Sequence, residues 1–412
     1  MDPVVSPEDR SVPRRRIREG DHSRDGRGRI RNGLPVLHYG FRPFFLLAGL
    51  HAGTMIGLWL WLYLTGAALP GPFSPLAWHV HEMLFGYLAA TIAGFILTAV
   101  PNWTGRLPLS GLPLASLVLL WLAGRAATSL VPSPLLAAII DLAFPVVLAA
   151  AIWQEIVAGR NWRNAPVAVM LTLFGVANGL HHAEAAGLVP DGWATRLALA
   201  VSAMLIALIG GRIVPSFTRN WMVKRRETAL PASFGLLDKA ALVASALALT
   251  AWLFAPAQLL TGGGLIVAGT LLFLRLIRWR GWRTRREAIL FVLHVGYAWL
   301  AISLIMLGVS IFLPEAVPPS AAIHALTAGA IATMTLAVMT RASLGHTGRT
   351  IQADGWIVSI YLLVNFGAAL RVLAPFSAED YVMLLAAGGV LWSGAFVLFV
   401  LRFWRVLTGP RV

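Results

Sequence analysis

The chain has 412 residues, 58% of them hydrophobic and only 12% charged, with a net charge of +15. A mean hydropathy of +0.74 excludes a soluble domain, and the length excludes a single membrane span. The absence of cysteine excludes disulfides, thiolate metal sites, iron–sulfur clusters and covalently attached c-type haem.

Residues 1–43 are polar, Arg-rich and aperiodic, which predicts a disordered basic cytoplasmic tail resting on anionic lipid. The stretch lacks the short apolar core and small-residue cleavage site of a signal peptide. GFRPFF (Gly40 to Phe45) then leads into a membrane domain over residues 44–404, followed by a short cytoplasmic tail at 405–412. Twelve apolar runs are long enough to cross a bilayer. They lie near Phe44–Thr65, Trp78–Val100, Gly111–Leu130, Leu135–Val157, Pro166–Leu188, Ala194–Pro215, Leu236–Phe254, Gly262–Arg278, Glu287–Phe312, Ser320–Thr340, Gly355–Leu373 and Tyr381–Phe403. The fold class is therefore an all-α polytopic membrane protein of about twelve transmembrane helices.

Basic residues test this topology. Arg106, Arg160, Arg163, Arg212, Arg219, Lys224, Arg225, Arg226, the cluster from Arg275 to Arg286, Arg341, Arg349, Arg402, Arg405 and Arg411 fall on the side of the N-terminal tail. The other side has Arg125, Arg196 and Arg371 near helix ends, and its loops carry Glu184, Asp191, Glu315, Glu379 and Asp380. Translocating Lys and Arg is disfavoured, so both termini are expected in the cytoplasm. The positive charge thus follows the membrane rule and does not call for nucleic acid.

The second and tenth spans look like copies at an offset of 243 residues: His81 maps onto His324, and Thr104, Gly105 and Arg106 onto Thr347, Gly348 and Arg349. One span earlier, His51 maps onto His294 at the same offset. A weaker echo, IVPSFTRN against AVPNWTGR, suggests three units of four helices, with Thr195 where the outer units have histidine.

Topology sorts the histidines by depth. His51 and His294 each lie seven residues into a span that starts inside, or roughly 10 Å below the inner boundary at 1.5 Å rise per residue. Two facing imidazoles from different helices are what a non-covalent b-type haem needs for axial ligation. His79, His81, His324, His181, His182 and Glu82 fall near the outer face. An imidazole shell without sulfur fits a copper centre. His79 and His81 are about 200° apart on a helix, so either they serve different sites or the helix begins after them. Asp141 is intramembrane and expected to pair with Arg125 or Arg371.

GFRPFFLLAG (Gly40 to Gly49), WHVHEMLFGY (Trp78 to Tyr87), AGFILTAVPNWTG (Ala93 to Gly105), GGRIVPSFTRNW (Gly210 to Trp221) and HALTAGAIATMTLAVMTRASLGHTGR (His324 to Arg349) resemble the signatures of the NnrS family. The resemblance implies a multi-pass protein of the bacterial inner membrane that contains haem b and copper. It also implies a role in nitric oxide metabolism or nitrosative-stress tolerance beside denitrification. The alternative from another class is a transporter of metal, haem or a small solute, since repeats and intramembrane polar groups are transporter features. A haem–copper oxidase core is disfavoured because His294 and Tyr297 have the wrong spacing.

Overall fold

The structure, a computed structural model, describes residues 33–412. The expectation for the N-terminal tail therefore lies almost wholly outside the described residues. Twelve helices account for the expected spans. They are α1 (Phe41–Thr65), α2 (Pro75–Thr104), α3 (Leu112–Leu130), α4 (Pro134–Ala158), α5 (Ala165–Ala185), α6 (Trp193–Lys224), α7 (Leu236–Phe254), α8 (Leu259–Ile277), α9 (Ala288–Phe312), α10 (Pro319–His346), α11 (Gly355–Leu373) and α12 (Tyr381–Thr408). Eleven are long and apolar enough to cross a membrane. The exception is α5, which carries Asn178, His181, His182 and Glu184 in its second half. No strand occurs among the described residues, as expected where every backbone polar group must be satisfied within its own segment.

Helix starts follow local chemistry. Ser74 accepts from the amide of Ala77 with Pro75 behind it, so α2 begins three residues earlier than expected and both His79 and His81 lie within it. Ser133 and Asp354 cap α4 and α11 in the same way. At the other end of the chain α12 continues to Thr408, where Arg42 of α1 donates to the carbonyl of Leu407 at 3.1 Å. The amide of Val412 donates to the carbonyl of Thr347 at 3.1 Å.

Successive helices pack side by side, and α12 returns against α1. Helices α2, α6 and α10 lie innermost, together with α9. Their most apolar windows are 72%, 61%, 72% and 61% buried, against 44% or less in the other scored spans. A small apolar cavity, about 100 Å³, is lined by α2, α6 and α10 alone.

Each inner helix of this trio contains a π-helical turn: Glu82–Leu88 in α2, Ile206–Gly210 in α6 and Ala325–Ile331 in α10. The first and last stand at the offset of 243 residues, directly after His81 and His324. Helices α3 and α11 share that offset at both ends. The offset is therefore structural for α2 with α10 and α3 with α11, whereas α1 and α9 begin and end 247 residues apart. A π turn shifts the hydrogen-bond register and re-aims the side chains beyond it, and such turns concentrate at functional sites.

The π turn of α6 has a dedicated partner. Arg275 of α8 is 1% exposed and donates to the carbonyls of Ala207 and Gly211 at 2.9 and 3.2 Å, and to the Tyr297 hydroxyl at 2.9 Å. Its charge is balanced by Asp238 at 2.7 Å. Breaking a buried ion pair by removing one partner costs about 3–5 kcal/mol, whereas one neutral hydrogen bond is worth about 1 kcal/mol. Arg275→Ala should thus lower the thermal unfolding midpoint in detergent well beyond Tyr297→Phe. Equal losses in the two variants, read in one scan series, would contradict this role for Arg275.

Candidate metal centre

The first turns of α2 carry the centre. His81 and Glu82 are 0% and 1% exposed, and they face α3, α4 and α5. Helix α3 supplies Arg125 and Thr128, one turn apart; α4 supplies Asp141; α5 supplies Asn178 and His182, which share a face at i and i+4.

Arg125 stands between the two carboxylates. Its Nη1 donates to Glu82 Oε1 at 2.8 Å, and its Nη2 pairs with Asp141 Oδ1. Thr128 also donates to Glu82 Oε1, at 2.9 Å. On the far side, Asp141 Oδ2 receives His81 Nε2 at 3.1 Å, His182 Nε2 at 3.0 Å and the Asn178 amide at 2.8 Å. His81 Nε2 also lies 2.9 Å from Asn178 Oδ1, and its Nδ1 lies 3.2 Å from Glu82 Oε1. His81 therefore meets two acceptors at Nε2, while its Nδ1 lies beside both the Glu82 carboxylate and, at 3.3 Å, the Arg125 guanidinium, a donor.

The ligand atoms of His81, Asp141 and His182 lie within 4.8 Å of one another, and all three residues are buried. With neutral imidazoles, Glu82 and Asp141 outweigh Arg125 by one negative charge. A monovalent cation held by His81, Asp141 and His182 would cancel that charge and a divalent one would leave a single positive charge, so the cluster favours a bound cation in a medium where uncompensated negative charge is costly. His51 adds to the same group. Its Nε2 approaches Glu82 Oε2 at 2.9 Å, yet neither atom has a partner in hydrogen-bond geometry. His181 points elsewhere: its Nε2 donates to the carbonyl of Ala77 at 3.0 Å, and its Nδ1 is buried without a partner.

These positions revise two expectations. The outer residues do not form one group. His81, Glu82, His181 and His182 gather on the α3–α5 side, whereas His79 and His324 line a separate cleft with Arg371. Because α2 begins at Pro75, the angular separation of His79 and His81 sends them to different sites.

The inner pair also separates. His51 meets Glu82, Trp121 and the backbone of Gly86, whereas His294 Nε2 lies 2.9 Å from Thr218 Oγ1 and its ring rests on Gly281. The two imidazoles share none of these partners. Depth counted from span ends assumed matched helices, but Gly40 packs on Leu97, so α2 runs about two turns further inward than the start of α1. That sets His51 level with the π turn of α2.

Asp141 pairs with Arg125, one of the two partners expected for it. Asn178 and Thr128 were not anticipated. Asn178 could have been found as an intramembrane amide one turn before His182, but Thr128 carries no signal beyond its type.

A family model described as NnrS protein matches residues 35–411. The chain belongs to the NnrS family. No curated protein matches it. Family membership and the His/Asp cluster together mark this NnrS chain as a metal-binding protein of the membrane. The donor set of two imidazoles and a carboxylate suits copper(II), iron(II) or zinc.

His81→Ala, Asp141→Asn and His182→Ala should each abolish stoichiometric non-haem metal in elemental analysis of purified protein. Asn178→Ala orients ligands without being one and should weaken metal affinity about 10–100-fold. Full metal retention in all of the first three variants would exclude the cluster as the centre.

Proposed function

We propose that this chain is a haem- and copper-containing protein of the bacterial inner membrane that handles nitric oxide and protects against nitrosative stress. The observation that carries the reading is the convergence of His81, Asp141 and His182 inside the membrane domain of an NnrS-family chain. Two imidazoles and a carboxylate fit copper, and a copper ion held by them would supply one-electron chemistry. Around it, this chain's own residues have defined tasks. Asn178 and Glu82 orient His81, Arg125 fixes both carboxylates, and Phe73 and Phe85 shield the histidine rings.

Nitric oxide is small, neutral and weakly polar, so it dissolves in the lipid core and reaches such a site without a polar channel. The apolar cavity along α2, α6 and α10 supports this reading, because its lining from Leu88 to Val338 offers little that would hold water. The partners implied are the lipid bilayer, nitric oxide and an electron donor that the reading does not name.

A transporter is the second reading, favoured by the repeated inner helices and the intramembrane polar groups beside them. Metal and haem analysis of the purified chain, with optical and electron paramagnetic resonance spectra before and after nitric oxide, decides between them. The proposal expects copper, a Soret band and spectra that change on adding the gas. Colourless, metal-free protein that moves solute into liposomes would select the transporter.

A further inference from the structure

We propose that the cleft between α1, α2, α6, α10, α11 and α12 is a haem seat, in which His79 and His324 would hold the iron and Arg371 would partner a propionate. The inference rests on the reading of this chain as a haem protein and gives that cofactor a place. The cleft has a volume of about 170 Å³, larger than the cavity along α2, α6 and α10, and it opens outward at its rim. Its walls are mostly aliphatic and aromatic, including Leu60, Leu84, Leu88, Ile331 and Trp392.

Tyr87 and Thr327 spend their hydroxyls on Thr335 and the carbonyl of Ile323 and Thr195 is a lone hydroxyl, whereas His79, His324 and Arg371 each have an uncommitted nitrogen. His324 donates its Nδ1 proton to the carbonyl of Ser320 at 2.8 Å. That fixes the ring and leaves Nε2 with a free lone pair, the arrangement usual for metal-ligating histidine. The His79 ring stacks on Trp59 with centroids 4.2 Å apart, and its buried Nδ1 has no partner. Arg371 donates through Nη2 to Ser320 Oγ at 3.1 Å, while its buried Nη1 has none. Ser320 thus steadies both Arg371 and His324.

The combination narrows the ligand. A bare metal ion would satisfy the imidazoles but place a second cation beside Arg371. An anionic lipid headgroup would satisfy Arg371 but has no use for two imidazoles. A neutral gas would satisfy neither. A flat apolar macrocycle that bears carboxylates and carries iron satisfies all three. His51 and His294, by contrast, line none of the cavities described, and their Nε2 atoms face Glu82 and Thr218.

The test uses the full chain purified from haem-supplemented cells, with haem counted as pyridine haemochrome and ligation read from optical and electron paramagnetic resonance spectra. The wild type should hold haem in a low-spin, two-imidazole state. His79→Ala and His324→Ala should each lose that state, with copper content unchanged. His324→Gly should regain the low-spin spectrum on adding imidazole, which separates ligand loss from misfolding. Arg371→Ala should retain the spectrum but release haem to apomyoglobin several-fold faster. An unchanged low-spin spectrum in both single variants, or its loss instead in His51→Ala and His294→Ala, overturns the cleft assignment. A wild type with copper and no haem also overturns it but spares the metal centre, whereas a wild type with neither overturns both.

Discussion

The guanidinium of Arg125 between Glu82 and Asp141 is the constraint on which the rest of the site depends. Two carboxylates inside a membrane domain are sustainable only if their charge is met nearby. Arg125 meets half of it and in doing so ties α2 and α4 to α3. One negative charge remains, and it is directed at His81 and His182. The same carboxylates that make the helices cohere therefore make the cluster receptive to a cation. Stability and metal binding are two outcomes of one charge arrangement.

The inner helices explain why this arrangement sits where it does. A regular α-helix with histidine at positions 79 and 81 must point them in different directions. The π turn that begins at Glu82 then changes the facing of everything below it. In α10 an equivalent turn follows His324, but Ala325 stands where α2 has Glu82. The repeat has thus kept the backbone device and divided the chemistry. One copy builds a carboxylate-rich cluster, and both copies contribute one imidazole each to a cleft between them. The middle copy has Thr195 at the cleft and no histidine, and its π turn is held by Arg275 instead.

Much of this was legible in the residues themselves. Apolar runs identify the twelve helices because the bilayer fixes their length and leaves no other backbone solution. Histidines and carboxylates stand out for the same reason, being costly in lipid. Their grouping was not legible. It depends on where α2 starts, which Ser74 and Pro75 decide, and on how far α2 overshoots α1, which the contact of Gly40 with Leu97 decides. An error of about two turns in depth hides the approach of His51 to Glu82, and the packing of His294 on Thr218 and Gly281 separates the two histidines. Asp141 with Arg125 was the exception, since a lone acid and a nearby base in an apolar run have few other partners.

The central claim is that His81, Asp141 and His182 form a metal centre separate from the His79–His324 cleft. X-ray absorption fine structure at the copper edge of purified protein tests it most directly, because it counts the scatterers around the ion. The account predicts two imidazoles with carboxylate oxygen in the first shell. Four imidazoles, which would require histidines of the cleft to join those of the cluster, or a thioether sulfur would contradict it.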